Sequence, residues 1–457
     1  MKVFRQTIIL FVLFVIVVGG YFLLLKPAEK RKKEKEEREK KLIEYDSSKV
    51  SEIWIEKPEG QKIGFRKKDS KWDIIYPIWA EADRFSVDPI ASRYSSVEIE
   101  RLIEKNPKDL KEFGLDNPRF KVKIKLDDGK EFSIFIGLKS QVGYSVYAMR
   151  EDDPEKKVVL VSGALESVID KKFEDFRERR PMDFVVPDVK ELIIQKENQT
   201  YLFEKREEGG TTWYIKFPEN TTFVKAKESE VRDLLYKING IKVINFVSDT
   251  TEPHFDFGEP DIIIKAITQG GEKFEIFLKL KDKLIYAKRP DRPNIFTVEV
   301  SGDFYNTLFA SKYRERKVIS YYVWRVKEIA IERKDRSTII QRDKENVEKW
   351  YLLGKDQKKE LDSSKVKELL SQLSNVEVVD FLEDNVKDIT KYIPEEKLRV
   401  KIEVEGKAIP YYLVLGEAKN IKGTKGIVGA LQDQNAVYIF PPSITNIISQ
   451  IENLSGT

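Results

Sequence analysis

One short segment recurs three times along the chain, and that recurrence limits the fold more than any other feature. Val50 opens VSEIWIEK, Val189 opens VKELIIQK and Val326 opens VKEIAIER, at intervals of 139 and 137 residues. In each, apolar positions alternate with polar ones (Ile53 and Ile55, Leu192 and Ile194, Ile329 and Ile331), the period of a strand with one buried face. A tryptophan follows at matching depth, Trp72, Trp213 and Trp350, spaced 141 and 137 residues apart. Three copies in register predict three tandem domains of one design, because a 457-residue chain is too long for a single core.

Behind each tryptophan the apolar period changes from two to that of a helix. Val87, Ile90, Ala91 and Tyr94 fall on one face, as do Val231, Leu234, Leu235 and Ile238, and Val366, Leu369, Leu370 and Leu373. Three hairpin-like pairs follow, FKVKIKLDDGKEFSIFIG, DIIIKAITQGGEKFEIFLKL and LRVKIEVEGKAIPYYLVLG, each turning at a glycine. A further strand pair closes each unit (YSVYAMR with VVLV, LIYAKR with IFTV, GIVGALQ with VYIF), and then a helix. The order predicts an α+β fold of antiparallel sheet plus helix, repeated three times over residues 46–182, 183–318 and 319–457.

The closing helix of the first copy is expected to end in FEDFRERR (173–180) and that of the second in ASKYRERK (310–317). The third copy ends SITNIISQIENLSGT, keeping helical spacing at Ile444, Ile447, Ile448 and Ile451 but lacking the basic cluster. A cluster present only where another copy follows points to salt bridges at inter-domain junctions rather than to a lipid or partner site.

Ahead of the repeats, IILFVLFVIVVGGYFLLL (8–25) is eighteen residues without a charge. At about 1.5 Å per residue it reaches roughly 27 Å, close to the thickness of a bilayer core. The run is longer than a signal-peptide core and no small-x-small site follows, so residues 1–26 are expected to be an uncleaved transmembrane helix in contact with the lipid bilayer through residues 8–25. Next comes KPAEKRKKEKEEREKK (26–41), with nine basic and five acidic residues. Pro27 suits a helix start, and Glu29 with Lys33, Glu34 with Arg38, Glu36 with Lys40 and Glu37 with Lys41 form favourable i,i+4 pairs, so residues 27–45 are expected to be a charged helical stalk. Heptad apolar positions are missing, which argues against a coiled coil. The positive-inside count, nine basic residues behind the helix against Lys2 and Arg5 ahead of it, taken alone places the body in the cytoplasm.

Composition removes several function classes. The chain has no cysteine and one histidine, His254, so thiolate chemistry and multi-histidine metal sites are excluded, and the histidine is expected to be structural. With 82 basic and 78 acidic residues, the body offers no global field for nucleic acid. No Walker loop, HExxH, GxSxG or EF-hand pattern occurs, and GTKGIVG (423–429) reads as a turn between strands. Tyr321, Tyr322 and Trp324 (YYVW) suit a glycan or partner surface, but directly behind a junction they are expected in the core. No catalytic, cofactor-binding or metal-binding residue is therefore assigned, and no cofactor is expected.

The first copy resembles a known family on the run FGLDNPRFKVKIKLDDGKEFSIFIG, YSVYAMR, VVLVSG and FRERR, behind a Trp-containing strand and a helix. It is the family catalogued as domain of unknown function 4340. FGEPDIII in the second copy keeps the Phe-Gly and the Pro, while YIPEEKLRV in the third has lost the Phe-Gly-Leu element. The short amino-terminal membrane helix and charged spacer are also similar to that family. The resemblance implies an accessory role in the cell envelope beside an integral-membrane ABC transporter permease or a gliding-motility-type auxiliary subunit. It also implies an extracytoplasmic body on the inner (plasma) membrane, against the charge count. The expectation is a non-enzymatic, single-pass accessory or scaffold protein; a glycan-binding envelope protein and, behind it, a carboxylate-dependent hydrolase are the alternatives.

Overall fold

A computed structural model describes residues 39–457, apart from 142, 197, 208–209, 219–221, 250–255, 301–303, 305–307, 309–310, 355–356, 422 and 455–457. The expected membrane segment 8–25, most of the stalk and His254 lie outside the described residues. Among the described residues no helix is long and apolar enough to cross a membrane.

Three nine-stranded antiparallel sheets dominate the fold, all built to one order. In the first, the strands lie side by side as Ala80–Glu81, Lys71–Tyr76, Lys62–Lys68, Val50–Glu56, Phe120–Leu126, Glu131–Lys139, Ser145–Arg150, Val158–Ser162 and Arg101–Glu104. The repeated segment is thus the central strand, pairing with Lys62–Lys68 on one side and with the hairpin strand Phe120–Leu126 on the other. Its counterparts Val189–Lys196 and Val326–Glu332 hold the same place in the second and third sheets.

One face of each sheet carries the helix expected from the sequence: α1 (Arg84–Tyr94), preceding the short α2 (Ala164–Ile169), then α3 (Glu228–Asn239) and α4 (Ser363–Ser374), with α5 (Ser443–Asn453) closing the third copy. Asp83 caps α1 by accepting from the Phe85 amide, and Asp362 caps α4 by accepting from Ser364 and Lys365. Every residue of the three helical stripes is buried, as are the three tryptophans and the alternating apolar residues of the central strands. Burial of these faces against the sheet, not helix propensity, is what holds such short helices.

A second, smaller core lies on the far face of the first sheet. Along Glu131–Lys139, Ile134 and Ile136 join the helix-side core, while Phe135 between them packs with Phe113, Leu115, Met149 and Val158. The FGLDNP element is therefore a flap closed over the back of the hairpin. Gly114 turns there at φ 62°, and a Cβ on Gly137 would stand 2.1 Å from the Phe113 carbonyl oxygen, so the close approach requires glycine. In the third copy Val386 and Ile393 cover Val414, Val428 and Val437 in the same way.

Three differences from the sequence reading have physical causes. Lys41–Glu44 is a strand paired with Ser96–Glu98, not the end of a stalk, because Leu42 and Ile43 are buried in the first core. The end strands Arg101–Glu104, Lys242–Ser248 and Asp380–Glu383 had no counterpart in that reading; each follows its helix and crosses to the far edge of the sheet. The closing helix of the first copy stops at Ile169, a 3-10 turn covers Phe173–Phe176, and the residues behind it are extended.

By internal contacts the chain divides into two compact units, Met1–Val185 with Lys237–Lys265 and Lys273–Gly302, and Val186–Tyr236 with Ala266–Glu272 and Asp303–Thr457. Each unit contains the whole of one repeat junction.

Candidate functional site

The basic clusters build the junctions. In the first unit Ala82 bridges to Arg177, the Glu178 amide donates to Glu81 O (2.9 Å), and the Val243 amide donates to Arg179 O (2.8 Å). The tail of the first copy is thereby stitched to the edge of its own sheet and to the edge strand Lys242–Ser248. The Arg177 side chain, 4% exposed, donates to both carboxylate oxygens of Asp249 (3.0 Å to Oδ2), and Asn294 donates to the same carboxylate. The Arg177 guanidinium carbon lies 3.4 Å from the Phe246 ring centroid. Arg179 meanwhile donates to the Ile244 carbonyl at 3.0 Å.

The second unit repeats this arrangement. Ala226 bridges to Arg314, the Glu315 amide donates to Lys225 O (3.0 Å), and the Val378 amide donates to Arg316 O (2.9 Å). Arg314 pairs with Asp384 and sits 3.7 Å from the Phe381 centroid, and Arg316 donates to Val379 O at 2.6 Å. In the first junction the bidentate Arg177 beside its aromatic ring is a fork a lysine does not replace. Phe246 and Asp249, like Phe381 and Asp384, are the half of the junction that sequence reasoning missed. A signal exists: NFVSD (245–249) and DFLED (380–384) share Phe-x-x-Asp, 135 residues apart, in the two copies that receive a tail. The first copy has RLIEK there, with an exposed Leu102.

The YYVW segment divides. Tyr321 is in the core, its hydroxyl donating to Leu370 O at 3.0 Å, and burial pushes that phenol well above its usual range. Tyr322 and Trp324 are not: they are 66% and 62% exposed, with rings 5.9 Å apart and 24° from parallel. The alternation of an extended segment entering a 3-10 turn (Val323–Arg325) sends neighbours to opposite sides, so only the first of the three faces the core. Arg325 lies 4.7 Å from the Trp324 ring centroid, and Arg342 donates to the Trp324 carbonyl. GTKGIVG forms the hairpin turn and the start of a strand: Gly423 turns at φ 84° and Thr424–Leu431 pairs with Tyr411–Ile421.

Trp324 stands on the rim of a cavity of about 720 Å³ in the third copy. Four lining residues, Ser364, Lys367, Glu368 and Ser371, recur at i, i+3, i+4 and i+7 and form the polar face of α4, opposite its core stripe. Arg342, Val347, Glu348, Trp350 and Glu405 complete the lining with Val323. Lys367 pairs with Glu348, and that hydrogen bond holds the Glu348 carboxyl below the usual carboxylate range. The Trp350 side chain is 1% exposed, and its indole N–H has no acceptor among the described residues. In the first copy the matching Trp72 donates to Asp88 at 2.8 Å; the residue at that helical position in the third copy is Lys367. Among the described residues no cluster of His, Asp or Glu stands in metal-ligating geometry.

Comparison with the curated proteins finds no match. A family model, however, matches twice, over residues 72–260 and 213–397. The two matches begin at equivalent tryptophans, and each runs past its own copy into the next, taking in the tail, the Phe-x-x-Asp strand and the junction between them. Together they cover well over half of the chain, which therefore belongs to the family described as Domain of unknown function (DUF4340).

Proposed function

We infer that the protein is a single-pass, membrane-tethered accessory protein of the cell envelope, non-enzymatic, working beside the integral-membrane permease of an ABC-type transporter. Residues 8–25 are its anchor, the charged residues behind them its spacer, and the sheet repeats an extracytoplasmic body. The observation that carries this reading is the directional junction. Tails with Arg-Glu-Arg leave the first and second copies, and Phe-x-x-Asp edges receive them on the second and third. Each copy is held to its neighbour by a largely withdrawn arginine–carboxylate pair beside an aromatic ring rather than by a loose linker, which suits a spacer that must keep a surface at a set place relative to a membrane partner. The uncharged run 8–25 supports the anchoring half of the reading.

Purification of the full-length protein from its native membranes in a mild detergent tests it. Recovery of a multi-span permease in constant ratio is the expected result. A protein that purifies alone from such membranes, with its anchor intact, contradicts it.

A further inference from the structure

We propose that the cavity of the third copy is a binding site for a neutral oligosaccharide, with Trp324 as its stacking platform. The site has been added to the repeat rather than inherited with it. The positions matching Tyr322 and Trp324 are Asp46 and Ser48 in the first copy and Val185 and Pro187 in the second, so the aromatic pair belongs to the third alone. The same copy replaces Asp88, which satisfies the Trp72 indole, with Lys367, and leaves the N–H of Trp350, a lining residue, buried without an acceptor among the described residues. A buried donor left unpaired costs free energy that packing alone does not return, so its retention beside a cavity is a mark of a ligand site.

The lining selects the ligand. A cavity of about 720 Å³ lies within the range that holds a small molecule. Cationic ligands meet Arg342, Lys367 and the neighbouring Arg325, whose guanidinium lies 4.7 Å from the Trp324 ring centroid. Anionic ligands meet Glu348, Glu368 and Glu405, so three cations and three carboxylates leave no net charge to draw either sign. What remains is a neutral molecule with one face of C–H groups for the aromatic ring and a rim of hydroxyls for the serines and carboxylates. A pyranose unit has this form. This site goes beyond the accessory role and stands or falls independently of the anchor.

The test uses the full-length protein in a detergent without a sugar headgroup, titrated with short neutral gluco- and N-acetylgluco-oligosaccharides and with an oligouronate, and followed by tryptophan fluorescence and calorimetry. At least one neutral oligosaccharide is expected to bind saturably. Trp324→Ala should weaken it roughly tenfold or more. Ser371→Trp, which sets a bulky ring inside the cavity but keeps the platform, should weaken it at least as far. Trp79→Ala, an exposed tryptophan of the first copy, should leave it unchanged. The unfolding midpoint of each variant shows whether the fold is intact. Absence of saturable binding to every neutral sugar overturns the proposal, as does preference for the oligouronate or binding that survives both Trp324→Ala and Ser371→Trp.

Discussion

Arg177 sits against Phe246, its guanidinium carbon 3.4 Å from the ring centroid, while both of its terminal nitrogens donate to Asp249. The side chain is 4% exposed and Asp249 23%, so the pair is largely withdrawn from water. Removing one member of a buried pair leaves the other charge uncompensated. Arg177→Ala is therefore expected to cost about 3 kcal/mol, the lower end for such sites because Asp249 keeps some contact with solvent. Several sheets in one chain do not unfold as one two-state unit, so the cost is best read from amide exchange of Lys242–Ser248, which should speed by about a hundredfold. Arg314→Ala should have the same effect on Asp380–Glu383, and because the two arginines share no partner, the double variant should show both losses without coupling. Unchanged exchange in either strand would remove the junctions from the account.

The Phe-Gly flap predicts a steric result. A Cβ on Gly137 would lie 2.1 Å from a backbone oxygen, so Gly137→Ala must push the Phe113–Gly114 backbone off the hairpin. The expected cost is about 1–3 kcal/mol or more. Gly416→Ala, at the same place in the third copy, meets the Ile393 methyl at 3.0 Å and should cost less. Thermal denaturation of both variants checks the order, and equal midpoints would contradict it.

The two tryptophan environments predict a difference between copies. Asp88→Ala strips the acceptor from the buried Trp72 indole and should destabilise the first copy by about 1–3 kcal/mol. Lys367→Ala, at the matching position, removes only an exposed pair with Glu348 and should cost less than about 1 kcal/mol. Amide exchange of α1 and α4 separates these outcomes; a larger loss for the lysine variant would show that Trp350 depends on it.

Much of the fold is legible in the chain because burial imposes a period. The stripes of α1, α3 and α4 and the alternation around Ile53, Leu192 and Ile329 are cores written at 3.6 and 2 residues. The edge strands are not legible for a physical reason. Arg101–Glu104 and Asp380–Glu383 are four residues each, too short to show a period, and their partners Val158–Ser162 and Ala436–Phe440 lie more than fifty residues away. The junction was half legible: Arg177 and Arg314 stand out by charge, but the rings and carboxylates they grip are ordinary residues on those unread strands. The pocket was misread because Tyr322 and Trp324 follow a core tyrosine, and composition does not say on which residue the chain turns outward.

The claim on which the accessory role depends is that residues 8–25 hold the repeats on the outer side of the membrane. A reporter that is active on only one side, fused after Thr457 in the full-length protein, measures this directly. Activity confined to the extracytoplasmic side, in the membrane fraction, is the predicted result. Cytoplasmic activity, the side that the nine basic residues behind the apolar run favour, would contradict it.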